Sequence, residues 1–229
     1  MSLAALAAFA IVLTVAGAAW ASSAIGIYRN PMETVSQRAQ MLKLSGANCT
    51  RGGGTVALRV SVGKRTEECS YSTPVVGRDL EIWTTARLLS GTPRAIRKRV
   101  YLAANLRSGG GGRYQLAMFP TRRKIQLRKV LPNGSIRYLK VVKGLKRIRN
   151  KINNANEVRL RAFNVTSGPN KGGCRLVVYL NGRKTVAVTD PKGGELDGRF
   201  SGFSVGSRKS ARGAVASFDD VVVRVPTPF

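Results

Sequence analysis

Residues 174–189 read CRLVVYLNGRKTVAVT. Apolar and β-branched residues dominate both halves of this stretch, and Asn181-Gly182 separates them. An Asn-Gly pair between two such runs is the strongest short-range signal for a hairpin with a two-residue type I′ turn. We therefore predict antiparallel strands at 174–180 and 183–189.

Similar short runs, separated by Gly, Pro and Asn clusters, continue outward from this hairpin in both directions. No second long helical pattern follows the first twenty residues. The other predicted strands are 55–62, 79–89, 114–119, 124–130, 135–142, 158–165, 200–205 and 215–225. About ten to twelve short strands without alternating helices indicate an all-β fold, an antiparallel two-sheet sandwich. Ser108–Gly112 reads as a flexible loop within that domain.

The composition excludes several classes of protein. The chain has 229 residues, 39 Lys and Arg against 11 Asp and Glu, a net charge of +28 and no His. Without His there is no Ser-His-Asp or Cys-His catalytic pair and no His-ligated metal. The hydrophobic fraction of 43% is sufficient for a buried core.

The first residues predict export. Residues 3–19 read LAALAAFAIVLTVAGAA, an uncharged hydrophobic helix, and Ala19-Trp20-Ala21 fits a small-x-small cleavage site. No Lys or Arg precedes the run, and its length approaches that of a bilayer span, so an uncleaved membrane anchor through residues 3–27 stays open as the alternative. The predicted organisation is a signal peptide or anchor at 1–21, a polar lead with room for one short helix at 22–41, and the sandwich domain at 42–229. The domain is then secreted, or anchored on the outer side of the cytoplasmic membrane.

Export implies an oxidising compartment, in which one disulfide is expected from three cysteines. Cys49 and Cys69 bracket one short strand-and-turn unit and form the predicted pair. Cys174 lies in a strand pattern and is expected to be a buried thiol.

A family resemblance rests on a series of motifs in chain order. They are Tyr114-Gln-Leu-Ala-Met118, Ile125 to Val130, Val158-Arg-Leu-Arg161, Val178-Tyr-Leu-Asn-Gly182, Asp190, Gly198-Arg-Phe-Ser-Gly-Phe203 and Phe218-Asp-Asp-Val-Val-Val223. Over residues 75–226 the chain resembles the concanavalin A-like lectin/glucanase jelly roll, and most of all its laminin G-like modules of secreted bacterial proteins. The resemblance implies a jelly roll of two curved sheets, often with a carbohydrate bound on the concave face and sometimes with structural calcium. It does not imply an activity.

The acidic residues argue against catalysis. Glucanases of this superfamily carry a Glu-x-Asp-x-x-Glu strand, which this chain lacks; the nearest arrangement is Asp79-Leu80-Glu81. We interpret that pair as a solvated strand face near Arg residues, so a binding module is favoured over a hydrolase with a non-standard acid pair. For calcium, Asp190 and Asp219 with backbone carbonyls are the candidate ligands, against the alternative of ordinary ion pairs.

The charge distribution points to polyanions. Residues 82–156 contain 19 Lys or Arg and no acid. The predicted ligand contacts are Trp83, Tyr101, Arg94, Arg97, Lys98, Arg99, Lys146, Arg147 and Arg149. Their expected partner is a carbohydrate or an acidic cell-envelope polymer, with a purely solvated cationic surface as the alternative. Export and the lack of a nucleic-acid motif disfavour nucleic acid.

Overall fold

The computed structural model describes residues 28–45, 49–53, 58–62, 68–196, 198–207 and 211–225. The predicted signal peptide or anchor lies outside them. The strands are β1 (Tyr28–Asn30), β2 (Leu42–Ser45), β3 (Cys49–Gly53), β4 (Leu58–Val62), β5 (Glu68–Val76), β6 (Leu80–Leu88), β7 (Tyr101–Gly109), β8 (Gly112–Phe119), β9 (Lys124–Val130), β10 (Ile136–Val142), β11 (Asn156–Asn164), β12 (Cys174–Leu180), β13 (Arg183–Asp190), β14 (Phe200–Gly206) and β15 (Val215–Arg224). Two short helices, α1 (Val35–Ala39) and α2 (Arg94–Arg97), and two 3-10 turns, Pro120–Arg122 and Gly193–Glu195, complete the described elements.

The strands form two antiparallel sheets, which confirms the predicted jelly-roll sandwich. One sheet has the order β13-β12-β11-β6-β15-β4-β3, with β1 also paired to β15. The other has the order β10-β9-β8-β7-β14-β5-β2. We call them the eight-stranded and the seven-stranded sheet.

The core lies between the sheets and follows the alternation of the strands. Leu80 and Ile82 of β6 point inward, as do Leu116 of β8, Leu127 of β9 and Phe203 of β14. The intervening residues of each strand form the outer face of its sheet. In the predicted hairpin, Asn181 and Gly182 have φ of 48° and 75°, as a type I′ turn requires.

The polar lead belongs partly to the sandwich. β1 pairs with β15, and Met32 and Met41 are buried in the core. These residues precede the predicted domain start at residue 42, and Tyr28–Asn30 is too short to show a strand pattern in the sequence. The short helix that the lead had room for is α1. Among the described residues, no helix is long and apolar enough to cross a bilayer.

A disulfide joins Cys49 to Cys69, as predicted. Because β3 belongs to the eight-stranded sheet and β5 to the seven-stranded sheet, this bond ties the two sheets together. Cys174 is a free, buried thiol, also as predicted.

Candidate functional site

Five strands of the seven-stranded sheet place polar side chains on its outer face. The side chains come from β5, β7, β8, β9 and β14, and hydrogen bonds connect them across the strands. We call them the outer polar network: Glu68, Ser70, Tyr101, Asn105, Arg113, Gln115, Arg128 and Ser204.

Glu68 is one centre of this network. Its carboxylate accepts hydrogen bonds from Ser70 Oγ (2.8 Å), Tyr101 Oη (2.7 Å), Arg113 Nη2 (2.7 Å) and Gln115 Nε2 (3.0 Å). Burial acts to raise the pKa of this carboxyl group, but the Arg113 charge and the hydrogen bonds outweigh it and hold the pKa below its usual value. Glu68 is therefore an ionised, fixed acceptor.

Gln115 is the second centre. Its Nε2 also donates to Asn105 Oδ1 (2.9 Å) and Ser204 Oγ (3.2 Å), while Arg128 Nε donates to its Oε1 at 2.7 Å. The Arg128 guanidinium lies 4.5 Å from the centre of the Tyr101 ring. Amide, hydroxyl and guanidinium groups are thus held in fixed orientations before any ligand arrives.

One end of the network opens into a cavity of about 320 Å³, which we call the Phe200 pocket. Ser70, Asn105 and Arg113 contribute network atoms, and the Phe200 side chain, 39% exposed, lies beside them. The loop Gly109–Gly112 forms another wall. Gly110 and Gly111 have positive φ angles of 54° and 84°, which favour glycine, so this wall depends on glycine.

The Phe200 pocket has the chemistry of a sugar site. An exposed aromatic ring can pack against the apolar face of a pyranose, and neighbouring amide, hydroxyl and guanidinium groups can bond its hydroxyls. Its volume lies in the range of about 300–1,000 Å³ that is usual for small-ligand sites.

The two predicted aromatic contacts lie on different sheets. Tyr101 is part of the outer polar network but is only 3% exposed, so its ring is covered. Burial and the neighbouring Glu68 carboxylate raise its pKa far above the usual value, which keeps the hydroxyl protonated as a donor. Trp83 lies on the outer face of the eight-stranded sheet, with the guanidinium groups of Arg159 and Arg224 over its ring at 5.2 and 5.1 Å.

The predicted basic clusters meet at one end of the sandwich. Both border the turn between β8 and β9: Thr121 Oγ1 donates to Arg97 O, and Leu145 N donates to Arg123 O, each at 2.9 Å. We call the cations exposed there the basic rim: Arg94, Lys98, Arg99, Arg122, Arg123, Lys143, Lys146, Arg147 and Arg149. The opposite end, with the Gly109–Gly112 loop, is the glycine-loop end, and the length of β8 separates the two ends by about 25 Å.

Arg97, also predicted as a ligand contact, is less available than its neighbours. Its guanidinium donates to the carbonyl oxygens of Thr92 (2.8 Å) and Ser90 (3.0 Å). These bonds close the loop before α2, which gives Arg97 a structural role that the sequence did not reveal.

The two candidate calcium ligands do not share a site. The Asp190 carboxylate is buried and accepts hydrogen bonds from Tyr114 Oη (2.7 Å) and Lys129 Nζ (3.0 Å). Asp219 lies on β15 near Arg87, and three strands separate β15 from β13, so these two strands are about 19 Å apart. Both residues form ion pairs, as the alternative expected. Calcium binding stays a prediction, but Asp190 and Asp219 are too far apart to bind one ion together.

The nearest candidate acid pair is also separated. Asp79 accepts a hydrogen bond from Arg107 Nη2 at 3.1 Å and from Asn164 N at 3.0 Å. Glu81 is completely buried beneath Arg159, Arg161 and Arg224, at 2.7, 3.0 and 2.6 Å. The interpretation of Glu81 as solvated is therefore wrong, although its Arg neighbours were expected. The two carboxylates do not face one another across a groove.

Sequence reasoning missed Glu68, Asn105, Gln115 and Phe200. Only Phe200 had a signal, because it stands between glycines in the motif Gly198 to Phe203 and had no assigned core position. Glu68 and Asn105 come from strands that were not predicted, whereas Gln115 lies in a predicted strand but was given no role.

Comparisons with known proteins identify the fold. No family model matches the chain, and no curated protein matches it. Among solved structures it is similar to the carbohydrate binding module CBM66 from Bacillus subtilis, with a TM-score of 0.59, 15% identity, and coverage of 81% of this chain and 95% of that one.

Two further structures show the same architecture. A Bacillus subtilis protein of unknown function with a galectin-like fold has a TM-score of 0.60 at 12% identity, covering 86% of this chain and 94% of its own. The alginate lyase Aly36B has a TM-score of 0.58 at 11% identity, covering 86% and 96%. The chain therefore has a lectin-like jelly-roll fold, which such proteins use for different purposes.

Proposed function

We propose that this protein is an exported, non-catalytic carbohydrate-binding module associated with the cell envelope, and that it holds glycan in the Phe200 pocket. The observation that carries the proposal is the junction of an exposed aromatic ring with a pre-formed polar network on one sheet face. The similarity to CBM66, whose name describes a carbohydrate binding module, supports the same reading.

The second part of the proposal assigns the basic rim to anionic glycans or acidic envelope polymers. Arg94, Lys98 and Arg99 project from and beside α2 with exposed side chains. Polymer contacts at the rim would be long-range and sensitive to salt, because exposed charges are screened over about 10 Å at 0.1 M. Contacts in the Phe200 pocket would be short-range and nearly independent of salt.

A glycan array, probed with the protein at low and high salt, tests both parts. Phe200→Ser should weaken the glycan binding that persists at high salt, and it should leave the salt-sensitive binding of acidic polymers. If this variant binds both the salt-resistant glycans and the acidic polymers as the wild type does, the assignment of the pocket is contradicted.

A matched pair of double variants tests the rim. Lys98→Ser with Arg99→Ser should weaken binding of an acidic polysaccharide about tenfold at low salt, because two contacts and their released counterions are lost. Lys171→Ser with Lys192→Ser removes the same charge at the glycine-loop end and should change affinity much less. Equal losses in both variants would mean that only net charge matters.

The alternative, a glycan-cleaving hydrolase, would need carboxyl groups other than Asp79 and Glu81. It predicts release of reducing sugar from β-glucans or galactans, whereas the binding module releases none. Turnover that Glu81→Gln abolishes would establish the alternative.

A further inference from the structure

A second cavity lies on the outer face of the eight-stranded sheet, on the opposite side of the core from the Phe200 pocket. Its volume is about 380 Å³, and it is bounded by Arg29, Trp83, Thr85, Glu157, Asp220 and Arg224. We call it the Trp83 cavity. Nothing in the proposed function accounts for it.

The pairing of three central strands builds this cavity. Glu157 of β11 lies opposite Thr85 of β6, and Thr85 lies opposite Asp219 of β15. The register of β15 then shifts between Asp219 and Val222, and Asp220 takes a left-handed φ of 48°. This bulge brings a carboxylate to the cavity wall next to Trp83.

The Trp83 ring lies at the bottom of the cavity and offers little surface for a sugar to stack on. Arg159 and Arg224 already cover it, and the buried Glu81 carboxylate holds both guanidinium groups. A ligand in this cavity therefore gains its specificity from hydrogen bonds around the ring more than from stacking on it.

The hydrogen-bonding groups of the wall are balanced in charge. Two guanidinium groups, Arg29 and Arg224, face two carboxylates, Glu157 and Asp220. Arg29 lies 3.7 Å from Asp220, and within the described part of the chain the Glu157 carboxylate has no ion pair or hydrogen bond. In a chain of net charge +28, a locally neutral site suits an uncharged ligand with many hydroxyls.

We propose that the Trp83 cavity is a second glycan site, specific for an uncharged sugar, and that one domain therefore bridges two glycan chains on opposite faces. This rests on the proposed function only in assigning glycan as the ligand of both sites. Carboxylates bond sugar hydroxyls strongly, so Glu157 and Asp220 are its main contacts.

Titration calorimetry of the full chain with neutral β-glucan and galactan oligosaccharides tests the proposal. Two sites are expected for the wild type, with affinities that change little with salt. Glu157→Gln combined with Asp220→Asn should weaken one site at least about tenfold and leave the other. Asn tolerates the left-handed backbone of position 220, so the bulge is retained. Glu33→Gln, which removes an exposed carboxylate elsewhere, should have no effect.

The outcomes separate this inference from the proposed function. A single site that Phe200→Ser abolishes and the Glu157/Asp220 variant leaves intact overturns the second site and supports the first. A single site that the Glu157/Asp220 variant abolishes and Phe200→Ser leaves intact overturns the Phe200 pocket and supports the Trp83 cavity. Absence of any binding to these oligosaccharides overturns the second site, and absence of binding across the whole array overturns the proposed function as well.

Discussion

The ammonium group of Lys129 lies 3.0 Å from the carboxylate of Asp190, and both side chains are completely buried at the glycine-loop end of the sandwich. Lys129 also donates to Lys192 O at 2.6 Å and to Glu195 Oε2 at 2.8 Å. All three ammonium hydrogens therefore have acceptors, which is the condition under which a buried charge is tolerated.

Breaking this buried pair should be costly. Asp190→Ala leaves the Lys129 charge buried with only a half-exposed partner in Glu195, and the free energy of unfolding should fall by about 3–5 kcal/mol. Denaturant unfolding measures the change. Glu195→Ala should cost clearly less, since the Asp190 partner remains; equal losses would mean that Asp190 does not dominate the pairing.

Stability should fall at acid pH. The pKa of Asp190 is lowered because hydrogen bonds from Tyr114 and Lys129 outweigh the effect of burial, and Glu68 is lowered similarly. Carboxyl groups with a depressed folded pKa stabilise the fold above their unfolded pKa, about 3.9–4.3, and lose that contribution as pH falls through the folded value.

Denaturant titrations at pH 7, 5 and 3 would show this effect as similar stability at the two higher values and a drop at pH 3. The combined variant Glu68→Gln and Asp190→Asn should have a lower free energy of unfolding at pH 7, and that free energy should depend less on pH. If this variant loses as much stability between pH 7 and pH 3 as the wild type, other groups control acid unfolding.

Reduction of the disulfide should destabilise the domain. The bond between Cys49 and Cys69 spans 20 residues, and its loss should cost about 3 kcal/mol, because the unfolded chain regains freedom. Thermal melting with and without reductant measures the shift. Cys49→Ser with Cys69→Ser should melt like the reduced protein.

Cys174 should not react with a thiol reagent in the native protein. Burial raises its pKa to about 11, so little thiolate exists at neutral pH, and the thiol has no solvent exposure. Labelling at Cys174 should appear only as the protein unfolds, with Cys174→Ser as the blank. Fast native labelling would indicate that the glycine-loop end opens locally.

Alternation predicted the strands that have one apolar and one polar face. The bounds of β9 and β12 agree with the sequence prediction. β6 differs by one residue at each end, β10 by one residue at its start and β15 by one residue at its end. The strands β5 and β7 were missed because both of their faces are largely buried and the outer one is polar. Ser70, Ser72 and Thr73 in one strand and Asn105 in the other are buried, although polar residues of these types are usually exposed.

The site was less predictable because its members are distant in sequence. Glu68 and Gln115 meet only through the order β5-β14-β7-β8, which no local pattern encodes. The basic stretch of residues 82–156 is partly neutralised from outside, since Arg113 pairs with Glu68 and Lys129 with Asp190. Counting charges along the chain overestimated the cations that remain exposed.

The pairing of Tyr28 with Val223 brings the first and the last described strands side by side. A short linker could join these strands, and the chain could then be opened at the exposed turn around Asn133 and Gly134 without breaking a paired strand. The spatial arrangement of the strands therefore does not depend on the position of the chain ends. A circular permutant opened at this turn would keep the Phe200 pocket and the Trp83 cavity while moving the point of attachment to a fusion partner.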